Sequence, residues 1–226
     1  MTDIVPKSVP RSLFAFSVFY GGMVCLAGIL ANKQVQLGPL AVEAGIFAFI
    51  IIVILSSTVA ELHGRTAANK LVAYGFGPLI FSIILTLFVL ALPASQEMQP
   101  ERLEAFTVLM TATPRIWIAG ILAYGVGQFL NVFLFSKLAG STGKWVAARG
   151  VVAGVISQIV DTLIFITVSF YGEFPITNLL IGQAIAKVAL VIVVLPFVII
   201  GLVRFGRWLD GTGAIATVPQ SSGDEA

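Results

Sequence analysis

Residues 151–170 read VVAGVISQIVDTLIFITVSF. Twenty consecutive residues hold a single ionisable group, Asp161. That is about the length a helix needs to cross roughly 30 Å of hydrocarbon. Five further stretches of the same kind fill most of the chain: Leu13–Ala31, Ala44–Ala60, Leu71–Pro93, Ile116–Phe135 and Leu179–Val203. The runs are continuously apolar, whereas the strands of a membrane barrel alternate over about 10 residues. The reading is therefore an all-α integral membrane protein with six transmembrane helices.

Composition agrees. Of 226 residues, 58% are hydrophobic and 11% charged, where a soluble domain carries about 25% charged residues. The first stretch is too long and too late for a cleavable signal, and no small-residue cleavage site follows it. The chain divides into an N-terminal segment 1–12, a six-helix domain 13–209 and a tail 210–226. The tail is rich in Gly, Ser, Thr and acid, which predicts disorder. In the longest loop, Ala94–Pro114, residues Glu101 to Phe106 have the composition of a short interfacial helix.

Net charge is only +2 and points to no nucleic acid, but its distribution is informative. With six spans, one side carries Lys7, Arg11, Arg65, Lys70, Lys137, Lys144, Arg149, Arg204 and Arg207. The other has Lys33, Arg102 and Arg115 beside Glu97, Glu101, Glu104 and Glu173. Basic residues mark the cytoplasmic face, which places both termini inside a multi-pass protein of the cytoplasmic (inner) membrane. A lone Cys25 and a lone His63 provide no metal cluster, and no cofactor is implied.

Ionisable groups are expensive in hydrocarbon and mark function there. In the fifth span, Ser157, Gln158, Asp161 and Thr162 lie on one stripe, since i and i+4 share a face. The stripe either packs helices through hydrogen bonds or lines a polar interior. In the fourth span, Gln128 and Asn131 share a face beside Gly125 and Gly127; they serve as amide glue or as partners for a heteroaromatic edge. Lys187, in the sixth span, either snorkels outward or pairs with Asp161, Glu61 or a substrate. Glu61 closes the second span and either forms an interfacial cluster with Arg65 or reaches the interior. Phe165, one turn beyond Asp161, is placed to stack on a ligand. Ser57-x-x-x-Glu61 and Ser157-x-x-x-Asp161 lie about a hundred residues apart, each in the middle span of a three-span half. That spacing suggests a 3+3 inverted repeat.

At these residues the chain resembles the queuosine precursor transporter family, also called vitamin-uptake-type transporters. Ser157-Gln158-x-x-Asp161-Thr162-x-x-Phe165 matches that family's most specific string. Gly127-Gln128-x-x-Asn131-Val132-x-x-Phe135 is similar to its second string, with Asn131 where the family has an acid. Glu61-x-x-Gly64 resembles a segment in which the family has an acid at the position of Ser57 and a tyrosine at that of His63. Lys187 with Pro196-Phe197 resembles its sixth helix. The likeness runs from about Leu26 to Gly201. It implies uptake of 7-cyano- or 7-aminomethyl-7-deazaguanine, or of queuine, for tRNA queuosine salvage. It also implies a substrate site from Asp161, Gln158, Ser157, Thr162, Gln128, Asn131, Lys187, Glu61 and Phe165.

The alternative is a substrate-binding subunit of an energy-coupled vitamin or purine importer that uses a separate ATPase. The chain carries no GxxxxGK[ST] loop of its own, and Ala27-x-x-x-Ala31 offers a small-residue docking strip. The Gly/Ala faces also allow a homodimer. An intramembrane enzyme is disfavoured, because no paired-Asp, Ser/His or HExxH arrangement occurs. The expected partners are thus a small 7-deazapurine and membrane lipid.

Overall fold

The computed structural model describes residues 9–31, 33–38, 40–111, 114–138, 145–172 and 175–211. The tail 212–226, most of the N-terminal segment, Asn32, Lys144 and Glu173 lie outside them. The elements are α1 (Arg11–Leu30), β1 (Gln34–Leu37), β2 (Leu40–Glu43), α2 (Gly45–Ala91), α3 (Pro100–Met110), α4 (Pro114–Lys137), α5 (Val146–Phe170) and α6 (Thr177–Gly211). Five of them, α1, α2, α4, α5 and α6, are long and apolar enough to cross a membrane.

The 47-residue α2 holds two of the expected spans, and its contacts show a reversal inside it. A Cβ added at Gly45 would lie 3.2 Å from Ala31 Cβ, at the end of α1. His63 Nε2 meets Ser12 Oγ at 2.7 Å, at the start of α1. Gly21, midway along α1, packs on Pro78. A straight helix would separate residues 45 and 78 by roughly 50 Å, so the chain turns back on itself. It turns at Gly64, with φ 83° and ψ 167°, a conformation that only glycine takes without strain. The arm 45–63 runs antiparallel to α1 and the arm 65–91 returns parallel to it. Residues 61–70, expected as a connection between spans, are thus helical apart from this one turn.

The arm 45–63 is the centre of the bundle. Ile52 through Val59 are buried without interruption, as a helix surrounded by neighbours requires. On one side it packs with α1, the second arm and Tyr124. On the other it packs with β2, α5, α6 and Phe135. Outward-facing positions carry large apolar side chains, among them Phe14, Phe81, Phe88, Ile156 and Phe197.

One element departs from the expected outline, and one that was expected is longer than its sequence signal. Between α1 and α2 stands a two-stranded antiparallel hairpin that pairs Gln34 with Glu43 and Leu37 with Leu40. It turns at Gly38, with φ 59°, and closes where Ala44 N–H donates to Lys33 C=O at 2.7 Å. Its alternation of Val35 and Leu37, then Leu40 and Val42, is a strand signal too short to stand out between two long apolar runs. The loop after α2 does contain a helix, α3, with Pro100 in its first turn, where a missing N–H costs nothing. None of its residues is buried.

Where the second arm crosses α1 and α4, Gly75 allows close approach. The Tyr124 hydroxyl donates to Val72 C=O at 3.1 Å and lies 3.0 Å from the Tyr20 hydroxyl. A Cβ on Gly75 would collide with that hydroxyl and with Tyr20. We expect Gly75→Ala to destabilise the protein by about 1–3 kcal/mol, read as a lower melting temperature in detergent. Tyr124→Phe in the same background should restore part of the loss. An unchanged melting temperature for Gly75→Ala would show that the crossing is loosely packed.

Candidate functional site

The polar stripe of α5 faces the protein interior. Ser157, Gln158, Asp161 and Thr162 are all buried. Small residues bring the flanking helices close. A Cβ on Gly154 would meet Val191 of α6 at 2.9 Å, and one on Gly127 of α4 would meet Asp161 Cβ at 3.1 Å. Asp161 therefore sits where α4, α5 and α6 converge.

Lys187 does not snorkel. Its Nζ donates to Asp161 Oδ2 at 2.6 Å, and only 10% of its side chain is exposed. The same ammonium stands 5.4 Å from the centroid of the Phe49 ring. That is within the range over which a cation is held by an aromatic face. Phe49 lies one turn into α2, so a fourth element joins the site.

A fifth element is the hairpin. Glu43, its last residue, is partly buried. Burial pushes its carboxyl above the ordinary value; the Lys187 charge pulls it back down and the Asp161 charge raises it. Both members of the pair therefore act on Glu43 through space. The sequence reading passed over this residue, because nothing in the apolar runs indicates that a hairpin folds back towards them.

The amides of α4 bind α2. Asn131 Nδ2 lies 3.0 Å from both Ser56 Oγ and Ser57 Oγ and 3.3 Å from Val53 C=O. Ser56 Oγ also reaches Gln128 Oε1 at 3.2 Å. The donors of Asn131 are thus committed to packing. Its acceptor is not: among the described residues, Asn131 Oδ1 and Gln158 Oε1 are buried with no hydrogen-bond partner in the protein. Buried acceptors of this kind are uncommon and call for an occupant or a function. The hydroxyl protons of Ser157 and Thr162 are spent on their own helix, on Gly154 C=O at 3.0 Å and Gln158 C=O at 2.8 Å. Phe165 is half-buried and meets Phe170 edge-on, with centroids 6.3 Å apart.

The strings in α4 and α5 are related in space as well as in sequence. Gln128, Asn131 and Phe135 recur as Gln158, Asp161 and Phe165 at a fixed spacing, and their flanks bury in the same order. The helices run antiparallel, so the contact of Gly127 with Asp161 makes the two strings cross in one layer. The α4 copy turns its amides to α2 and the α5 copy turns its acid to α6.

Glu61 stands apart from this layer. Its Oε2 accepts a short hydrogen bond from Arg149 Nη2, and the Arg149 guanidinium lies 4.7 Å from the centroid of the Phe135 ring. Arg149 and Asp161 are roughly 18 Å apart along α5. At the same end, Ser12 binds Asp210 through Oγ at 2.6 Å and through its backbone N–H at 2.9 Å. The Ser12 hydroxyl also contacts His63. Arg149 had counted only as one more basic residue near a span; its burial is a tertiary fact.

The family described as "Putative vitamin uptake transporter" matches residues 43–201, a range that includes Glu43 and both ion pairs. The chain is 26% identical over 188 residues to the "Probable queuosine precursor transporter" of Bacillus subtilis (strain 168), covering 80% of each chain. It is 24% identical over 161 residues to the "Queuosine precursor transporter" of Escherichia coli (strain K12), covering 71% of this chain and 70% of that one. No solved structure matches.

Removing one member of a buried ion pair strands the other charge, at a cost of about 3–5 kcal/mol. Arg149→Met should therefore lower thermal stability by that order, and adding Glu61→Gln should recover much of it. If the double variant melts no higher than Arg149→Met alone, the guanidinium matters through Phe135 and packing, not through Glu61.

Proposed function

The chain belongs to the vitamin uptake transporter family, and we propose on that premise that it imports queuosine precursors across the cytoplasmic membrane. It is a multi-pass membrane transporter and not an enzyme. In this reading α1, the two arms of α2, α4, α5 and α6 make six spans with both termini inside. The two halves are of three spans each.

The observation that carries the substrate is the Asp161–Lys187 pair at 2.6 Å. The six-membered edge of a 7-deazaguanine offers a carbonyl next to a ring N–H and an exocyclic amine. A carboxylate beside an ammonium is its complement. O6 accepts from Lys187 Nζ, and the ring N–H and exocyclic amine both donate to Asp161. The base thus replaces a salt bridge by three charge-assisted hydrogen bonds, which are stronger than neutral ones. The buried acceptors Asn131 Oδ1 and Gln158 Oε1 suit donors of the base that Asp161 leaves over, the second ring N–H and the second amine hydrogen. Phe49 borders the pair and supplies an apolar face, and Phe165, one turn beyond Asp161, is the candidate for a second. On this reading the amides receive hydrogen bonds and do not donate to O6. Glu61 has no part in binding on this reading. With Arg149 it closes the Gly64 end of the bundle.

The competing reading is a binding subunit served by a separate ATPase. Its proposed docking strip on α1 is already used within the chain, because Ala27 C=O and Ala31 face Gly45. Uptake by proteoliposomes containing only this chain separates the two readings, since a binding subunit alone gives none.

Ligand binding raises apparent stability by mass action. We expect a thermal shift with 7-cyano-7-deazaguanine or queuine that guanine gives weakly and vitamins do not. A shift with a vitamin alone overturns the substrate. Asp161→Asn keeps the volume but strands Lys187 and loses the doubly accepting carboxylate. At about 1.4 kcal/mol per decade, the loss of one such buried partner lowers uptake by at least about tenfold at equal abundance. Wild-type uptake by that variant removes Asp161 from the site.

A further inference from the structure

We propose that Glu43 is the counter-ion for a positively charged substituent on the substrate held by Asp161 and Lys187. The inference rests on the deazapurine reading and extends it to which members of that class the site prefers.

The argument begins with charge. Asp161 and Lys187 cancel each other at 2.6 Å. Glu43 lies within electrostatic reach of both, and among the described residues it leaves the site with one carboxylate more than it has cations. A surplus carboxylate in a partly dry site needs either a proton or a cation. Beside the hairpin, Lys33 has an exposed side chain and contributes its backbone, not its ammonium, to the neck at Ala44.

The position of Glu43 is fixed by packing. Val42, the residue before it, is buried in the same apolar cluster as Ile46, Ile50 and Ala186. Ala186 immediately precedes Lys187 in α6. On the other side, the register Gln34–Glu43 and the bond from Ala44 to Lys33 tie the strand end to α1. The hairpin thus fixes the backbone of Glu43 beside α6, where the charges of Lys187 and Asp161 both act on its carboxyl.

Substrate geometry completes the case. In a 7-deazaguanine the substituent at ring position 7 projects on the same edge as O6. With O6 on Lys187, that substituent lies beyond the ammonium, on the Lys187 side of the base. A cyano group there is neutral. An aminomethyl group is protonated at neutral pH and would be repelled by Lys187 alone. Glu43 supplies the charge that offsets both ammonium groups, so the site favours bases that carry an amine.

The test is competition binding on the purified full chain in nanodiscs, with 7-aminomethyl-7-deazaguanine and 7-cyano-7-deazaguanine as probes. Wild type should bind the aminomethyl base more tightly. Glu43→Gln should weaken that binding by about tenfold or more, the scale of a lost close charge pair, and leave the cyano base within about threefold. Retained binding of the cyano base also reports that the variant is folded, and Glu43→Asp should restore part of the preference. Equal weakening of both bases assigns Glu43 to holding the hairpin or a proton and overturns the counter-ion role. Unchanged binding of both removes it from the site. If wild type binds neither base, the deazapurine reading itself falls, and this proposal with it.

Discussion

An ion pair between Asp161 and Lys187, buried among α4, α5 and α6, is the constraint around which the other features are arranged. A carboxylate and an ammonium in hydrocarbon are tolerated only when they meet each other with good geometry. That requirement fixes the register of α6 on α5, because Lys187 must reach Asp161 and not the next turn. It also demands a small residue opposite. Gly127 supplies it, since any side chain there would press on the carboxylate. Gly154 does the same for the α5–α6 contact. The glycines on these faces mark places where helices must approach closely so that polar groups can pair.

A second buried pair, Glu61–Arg149, stands near the Gly64 turn. Helix α5 carries one member of each pair and so links the two layers rigidly. The first arm of α2 runs beside both, with Phe49 near one and Glu61 in the other. Between the layers lie the amides of α4 and the serines of α2, joined by hydrogen bonds among neutral groups. Charge is thus confined to two depths, and the space between is polar but uncharged.

Much of this was legible in the sequence, and the remainder was hidden for identifiable reasons. Continuous apolar runs of bilayer length gave the helices, and the helical spacing of Ser157, Gln158 and Asp161 placed them on one face, as found. The pairing of Lys187 with Asp161 was one of two readings left open by depth alone; only the position of α6 decides it. A reversal between the second and third spans was legible; that it takes the single residue Gly64 was not, because so tight a turn depends on contacts between residues distant in sequence. Glu43 and Arg149 escaped notice for the same reason. Each is a charged residue at the edge of an apolar run, where the ordinary expectation is solvent, and burial there depends on a partner distant in sequence. The hydrogen bonds of Asn131 and Gln128 to Ser56 and Ser57 could not be read either, since they join residues more than seventy positions apart.

The contact between Asn131 and Ser57 has a further consequence. These are two positions where the chain departs from the pattern it resembles, which has an acid at each. The structure brings them within 3.0 Å. Two carboxylates that close would not both ionise, because each raises the proton affinity of the other. Here both sites are neutral, and an amide–hydroxyl bond occupies the space instead. The two departures therefore act as one substitution: together they replace a potential proton-holding pair by a fixed structural bond. Either change alone would leave a single buried acid facing a neutral partner, which is the costlier arrangement.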